Sequence, residues 1–89
     1  MIFEWDEAKR LINIERHGLD FAVAVALFDG RPMITRPSPY LAEERYLSVA
    51  SLSGRVVTAV WTPRFNAIRL ISVRSARDGE KREYYARHV

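Results

Sequence analysis

Hydrophobic and polar positions divide this chain into one short strand, two helices, four strands and a closing helix. Ile2 to Trp5 alternates apolar and polar residues with the period of a strand. Asp6 then fits a helix N-cap, with Glu7 in the first turn and Ala8, Leu11, Ile12 and Glu15 at helical spacing. Gly18 is the residue that ends such a helix, and Arg16 and His17 sit well at the negative end of its dipole. The pattern predicts a helix from Asp6 to His17. Asp20 can cap a second helix that ends near Asp29-Gly30, in which Phe21, Ala24, Val25 and Phe28 fall at i, i+3, i+4 and i+7. Because Val23, Ala26 and Leu27 are apolar too, burial on most sides is expected.

Met33 to Arg36 is a short strand candidate, and Pro37-Ser38-Pro39 cannot continue a sheet interior. Arg45 to Leu52 sets Tyr46, Ser48 and Ala50 against Leu47, Val49 and Ser51. Ser53-Gly54 turns into Arg55 to Thr62, and Pro63-Arg64-Phe65-Asn66 turns into Ala67 to Ala76. Three strands joined by short connections predict an antiparallel meander. The final segment, Asp78 to His88, carries Glu80 and Glu83 early and Arg87 and His88 late. It reads as a helix capped by Ser75 or Asp78. The order β-α-α-β-β-β-β-α describes an α+β fold with two helices on one face of an antiparallel sheet and a short C-terminal helix.

The strand from Ala67 to Ala76 changes the picture, because Arg69 and Arg74 interrupt the apolar run of Ile68, Leu70, Ile71 and Val73. An unpaired guanidinium is too costly to bury, so each needs an acidic partner, a strand end or an anion. For Arg69, an ion pair with Glu44 or Glu4 competes with a phosphate contact. Arg74 at the strand's end and Arg64 beside a turn are freer to reach a ligand.

Eighty-nine residues make a single domain, 1–89, and a chain this short buries about 60–65% of the surface its unfolded form exposes. The absence of cysteine excludes disulfides and thiolate metal sites. The acidic start is unlike a signal peptide, and the longest apolar run, Phe21 to Phe28, is far below the ~20 residues that span a bilayer. A cytoplasmic protein with no membrane contact is expected. The net charge of +3 is unevenly spread. Residues 1–63 hold seven basic and eight acidic side chains, for −1, and residues 64–89 hold seven and three, for +4. Twelve of the fourteen basic residues are arginine, the side chain suited to bidentate contact with phosphate or carboxylate. Solvated surface charge explains that composition as well as nucleic-acid binding does.

Two histidines seventy residues apart, with no HxxxH, HxH or DxD pattern, provide no metal ligand set. There is no P-loop, GxGxxG or GxSxG either, so no cofactor is expected. What remains is Arg64, Arg69 and Arg74 with Lys81, Arg82, Tyr84 and Tyr85, cations interleaved with rings as a single-stranded RNA surface requires. At least one of the two tyrosines is expected to pack the last helix on the sheet, and Trp5 and Trp61 are assigned to the core. Metal-free RNA cleavage needs a base, an acid and cations around the phosphorus. Arg64 and Arg74 could supply the cations. His17 could exchange the proton, since histidine does so near neutrality, although on the residues alone a histidine that only caps its helix is the preferred reading. Lys9, on the same helix, and Glu44 are further candidates.

Taken together, Phe3-Glu4-Trp5-Asp6, Lys9, Asn13, Arg16-His17-Gly18, Phe21, Phe28-Asp29, Glu44-Arg45, Thr62 and Arg64 form one pattern with Arg69-x-Ile71-Ser72-x-Arg74-x-Ala76, Glu80, Arg82 and Tyr84. This pattern resembles the BrnT-type toxins of bacterial type II toxin–antitoxin pairs over nearly the whole chain. The resemblance implies a RelE-like fold and a small ribonuclease that arrests translation. It also implies neutralisation by a co-encoded ribbon-helix-helix antitoxin, through which operator DNA is bound. Departures are Arg16 where lysine is common, Val73 where alanine is, and Arg77 where threonine often caps the last helix. The resulting expectation is an endoribonuclease with Arg64, Arg74 and His17 as catalytic residues supported by Lys9 and Glu44. Arg69, Lys81, Arg82 and Tyr84 are its expected RNA contacts, with no metal. A non-catalytic binding module, acting as partner or co-repressor of a DNA-binding antitoxin, is the rival reading.

Overall fold

A computed structural model describes residues 1–39 and 43–88. Strand β1 (Ile2–Glu4) leads into helix α1 (Glu7–His17), followed by α2 (Phe21–Ala24) and a 3-10 turn (Val25–Phe28). Strands β2 (Met33–Pro37), β3 (Tyr46–Leu52), β4 (Arg55–Arg64) and β5 (Ala67–Ser75) precede helix α3 (Asp78–His88). The element order is the one that the periodicity predicts.

Local chemistry explains the boundaries. The Asp6 carboxylate accepts from the backbone N–H groups of Ala8 and Lys9, and Gly18 closes α1 in the left-handed region at φ 67°. Asp20 caps α2 through Ala22 N–H and also pairs with Arg10, so one carboxylate ties the two helices together. The Ala22 N–H and Arg10 hold the Asp20 carboxyl below its ordinary value. The second helix differs from expectation. Only Phe21, Ala24 and Leu27 are fully buried, while Ala22, Val23 and Ala26 face solvent. A buried residue at every third position is the period of a 3-10 helix, and the chain tightens into one after Ala24.

The sheet order is β1-β5-β4-β3-β2. Strands β2 to β5 form an antiparallel meander, but β1 pairs with β5 in parallel, Ile2 opposite Ala67 and Glu4 opposite Arg69. The sheet is therefore mixed, correcting the expectation of an antiparallel one. Hairpin turns reveal which neighbours in sequence pair, and β1 and β5 lie too far apart in the chain for any turn to report their direction. The β4–β5 turn is also tighter than expected. Pro63 and Arg64 belong to β4, and Phe65-Asn66 alone turn the chain. Because β3 ends opposite Trp61, the missing N–H of Pro63 costs no ladder bond.

Successive residues of a strand point to opposite faces, and this separates two cores. One face packs Phe21, Ala24 and Leu27 onto Ala50, Leu52, Val57, Ala59, Leu70 and Val73. The other packs Tyr84 of α3 onto Ile34, Val49, Val56 and Ala76. A β-bulge in β5 joins them: Val60 faces Ser72 and Trp61 faces Leu70, which leaves Ile71 as the extra residue.

Candidate functional site

Helix α1 packs along β5 beyond the point where β1 stops. There the edge of β5 has no strand to pair with, and Asn13 takes the place of one. Its side chain accepts from Val73 N–H (3.1 Å) and donates to the carbonyls of Val73 and Leu19 (2.8 Å each). Asn13 is only 5% exposed, so these bonds are sheltered from water. Lys9, Asn13 and Arg16 follow at i, i+4 and i+7, with His17 next, so anchoring Asn13 aims the other three along the same side of the helix.

The result is a groove of about 290 Å³ between α1 and the bulge. Lys9, Ile12, Arg16 and His17 form one wall, Ile71 and Ser72 the other, and Asn13 the floor. Among the described residues no carboxylate lines it. The extra residue of the bulge contributes the Ile71 wall, where regular pairing would leave a flat edge. Chemically, the groove combines two cations, an imidazole and a hydroxyl, a set suited to a phosphate group. Of the expected catalytic residues, it gathers Lys9 and His17. Arg16 and Ser72, which were not expected there, enter with them, and the i, i+4, i+7 spacing of Lys9, Asn13 and Arg16 is the sequence signal that marks a shared face.

The strand arginines of the expected site, Arg64, Arg69 and Arg74, and Arg36 lie on the sheet face opposite α2. Thr58, Thr62 and Arg64 alternate along β4 on that face, with Arg74 beside Thr58 and Arg69 beside Thr62. Each guanidinium there meets a carboxylate. Arg69 pairs with Glu4 at 2.6 Å, one of the two partners expected for it, and Arg36 of β2 reaches Glu83 of α3. Arg74 binds Glu80 through two bonds of 2.8 and 3.1 Å and is 17% exposed. The expectation that Arg74 is free at the strand's end does not hold, because the chain returns immediately as α3 and sets Glu80 against it. Glu80 also accepts from Thr58 Oγ1 (2.9 Å) and Arg77 N–H (2.8 Å). Arg74 first, then Arg77 N–H and Thr58, hold its carboxyl at about 2 against the opposing effect of burial. The bond to Arg77 N–H means that Glu80, three residues into the helix from its cap, does the capping expected of Ser75 or Asp78.

Arg64 is about half exposed and meets Glu43 at 3.5 Å, while Glu43 is held more closely by Arg45 at 2.9 Å. Arg64 lies six positions along β4 from Thr58, the neighbour of Arg74, which is about 20 Å at strand rise. Arg64 and Arg74 are therefore not brought together. Glu44 is exposed at the Arg64 end, where its backbone carbonyl accepts from Thr62 Oγ1. Tyr84, expected at an RNA surface, is 7% exposed and belongs to the core, whereas Tyr85 is half exposed. Lys81 is half-buried and Arg82 exposed on α3.

The family model described as the ribonuclease toxin, BrnT, of type II toxin–antitoxin systems matches residues 5–80. The chain belongs to this family. The BrnT match includes all of the α1–β5 groove and the Arg74–Glu80 pair, and ends near the start of α3. Membership makes this chain a toxin of the ribonuclease type, whose system supplies an antitoxin as partner and whose substrate is RNA. A search of curated proteins found no match. Among the described residues no helix is long and apolar enough to cross a membrane, and no three His, Asp or Glu side chains are grouped as metal ligands would be.

Proposed function

We propose that this BrnT toxin cleaves RNA without a metal ion, inhibits translation in the cytoplasm, and is neutralised by a co-encoded ribbon-helix-helix antitoxin that carries the complex to operator DNA. The observation that carries the reading is the α1–β5 groove, where Lys9, Arg16 and His17 converge with no acid among them. His17 accepts the proton of a 2′-hydroxyl as that oxygen attacks phosphorus. The bond to the 5′ oxygen breaks, the Lys9 ammonium protonates the departing oxygen, and a 2′,3′-cyclic phosphate and a 5′-hydroxyl result. Arg16 faces the charge that builds on the phosphorus oxygens. Arg64 and Arg69 continue the cationic track along the sheet, and Lys81 and Arg82 offer further phosphate contacts. Arg74 positions α3 through Glu80, and Glu44 stands beside the track rather than at the reacting phosphate. The helix pair followed by a four-stranded meander supports a RelE-like fold.

Expressing the chain with and without its antitoxin, while following growth and RNA integrity, tests this reading. Growth arrest and RNA fragments are expected without the antitoxin, and cleavage should persist in EDTA. Lys9→Ala, Arg16→Ala and His17→Ala should each lower cleavage by roughly 100-fold or more, the usual contribution of a positioned proton-transfer or charge-stabilising group. Intact RNA from folded protein would make the chain a non-catalytic binding module.

A further inference from the structure

We infer that Phe65, at the tip of the β4–β5 hairpin, is a stacking plate for an unpaired RNA base, with Arg64 beside it holding the adjoining phosphate. The inference rests on the ribonuclease reading and extends it to a contact remote from the groove. Arg64 pairs with Ala67, so Phe65 and Asn66 form a two-residue turn. Phe65 is its first residue and adopts φ 50°, where such turns take glycine because a side chain is strained. Its ring is nevertheless fully exposed. An aromatic side chain here costs backbone strain and leaves apolar surface in water, and no packing within the described residues offsets either cost. A bound base would offset both, since every base offers a π face and stacking on a ring tolerates any sequence.

Arg64 supplies the second half of the contact. It shares the turn with Phe65, and its one carboxylate among the described residues, Glu43, is at 3.5 Å and already engaged by Arg45. A cation next to a projecting ring matches a phosphate next to a splayed base. Phe65 is six positions from Ile71 in the groove wall, about 20 Å at strand rise. One single strand of a few nucleotides can therefore occupy both places. A protein partner is the other class of molecule that would cover the ring, but a single ring on a two-residue turn gives little of the contiguous area that a protein interface needs.

The test is titration of a short single-stranded oligonucleotide whose 2′-hydroxyls are methylated, so that it binds without being cut. Phe65→Asn suits the left-handed φ without a ring, and Phe65→Trp keeps a ring. Phe65→Asn should weaken binding by roughly tenfold or more, with thermal stability unchanged or higher, and Phe65→Trp should bind at least as tightly as the wild type. Equal binding by Phe65→Asn, while the wild type still cuts RNA, overturns the stacking role alone. A wild type that neither binds nor cuts RNA overturns the ribonuclease reading with it. Unchanged oligonucleotide binding together with a weakened antitoxin complex would assign the tip to a protein partner and also overturn the proposal.

Discussion

Asn13 shows how one side chain can substitute for a strand. Its amide gives β5 both bonds that a neighbouring strand would have made at Val73 and ties the α1–α2 turn to the same place through Leu19. Removing a buried partner leaves the desolvation cost of the groups that remain. Asn13→Ala should therefore lower stability by about 2–4 kcal/mol in a denaturant titration, and Asn13→Asp, which puts a charge against two carbonyls, should be no better. Glu80 has the same standing on the other face, with Arg74, Thr58 and Arg77 N–H all aimed at it. Its depressed carboxyl stabilises the fold above the ordinary glutamate range. That contribution is lost as pH falls from about 5 towards about 2, where the folded form takes up its proton. Glu80→Gln should be less stable by about 2 kcal/mol at neutral pH, with the gap closing as pH falls through that window. A constant gap from pH 7 to pH 2 would show that the charge contributes nothing.

At the scale of elements, the bulge in β5 sets which residues share a face. Strict alternation would put Leu70, Ser72 and Arg74 on one side and Arg69, Ile71 and Val73 on the other. The extra residue resets the phase, so Leu70 and Val73 both enter the α2 core and Arg69 and Arg74 both face away from it. Deleting Ile71 should consequently leave the core pairings intact, because Leu70, Ser72 and Val73 would then alternate regularly. It should also flatten the groove wall. The expected outcome is a folded protein, within about 2 kcal/mol of the wild type in a melt, that no longer cleaves RNA. Loss of folding would show that the bulge is needed for the sheet itself.

For the whole molecule, the separation of charge matters more than the total of +3. Most guanidinium groups of the sheet face are already paired within the fold, which leaves Lys9, Arg16 and Arg64 as the cations most available to phosphates. Each phosphate contact on a single strand contributes about −0.7 to the slope of log affinity against log salt concentration. Lys9, Arg16 and Arg64 alone predict a slope of about −2, the further contacts of Lys81 and Arg82 take it to about −3.5, and Arg64→Ala should reduce it by about 0.7. A slope near −5 would mean that RNA displaces the internal carboxylates from the other arginines.

The sequence by itself determined what is local. Asp6, Gly18 and Asp20 mark the helix ends because capping needs only neighbours, and Ser53-Gly54 marks a hairpin because its glycine takes the left-handed φ of 79° without strain. Element order follows from spacing, whereas an acid partner for Arg69 was one of two outcomes left open and the second helix buries a narrower face than its apolar run implied. Only tertiary structure decided the rest, because it depends on contacts between distant residues. The parallel seat of β1, the sheet edge met by Asn13 and the phase reset at Ile71 have no turn or period to announce them. Glu80 turned Arg74 from a free cation into a paired one, and a place in the second core turned Tyr84 from an RNA contact into a packing residue. Lys9 and His17 were legible as candidates on one helix, but the fold alone added Arg16 to them and put Ile71 and Ser72 opposite, and a groove needs two walls.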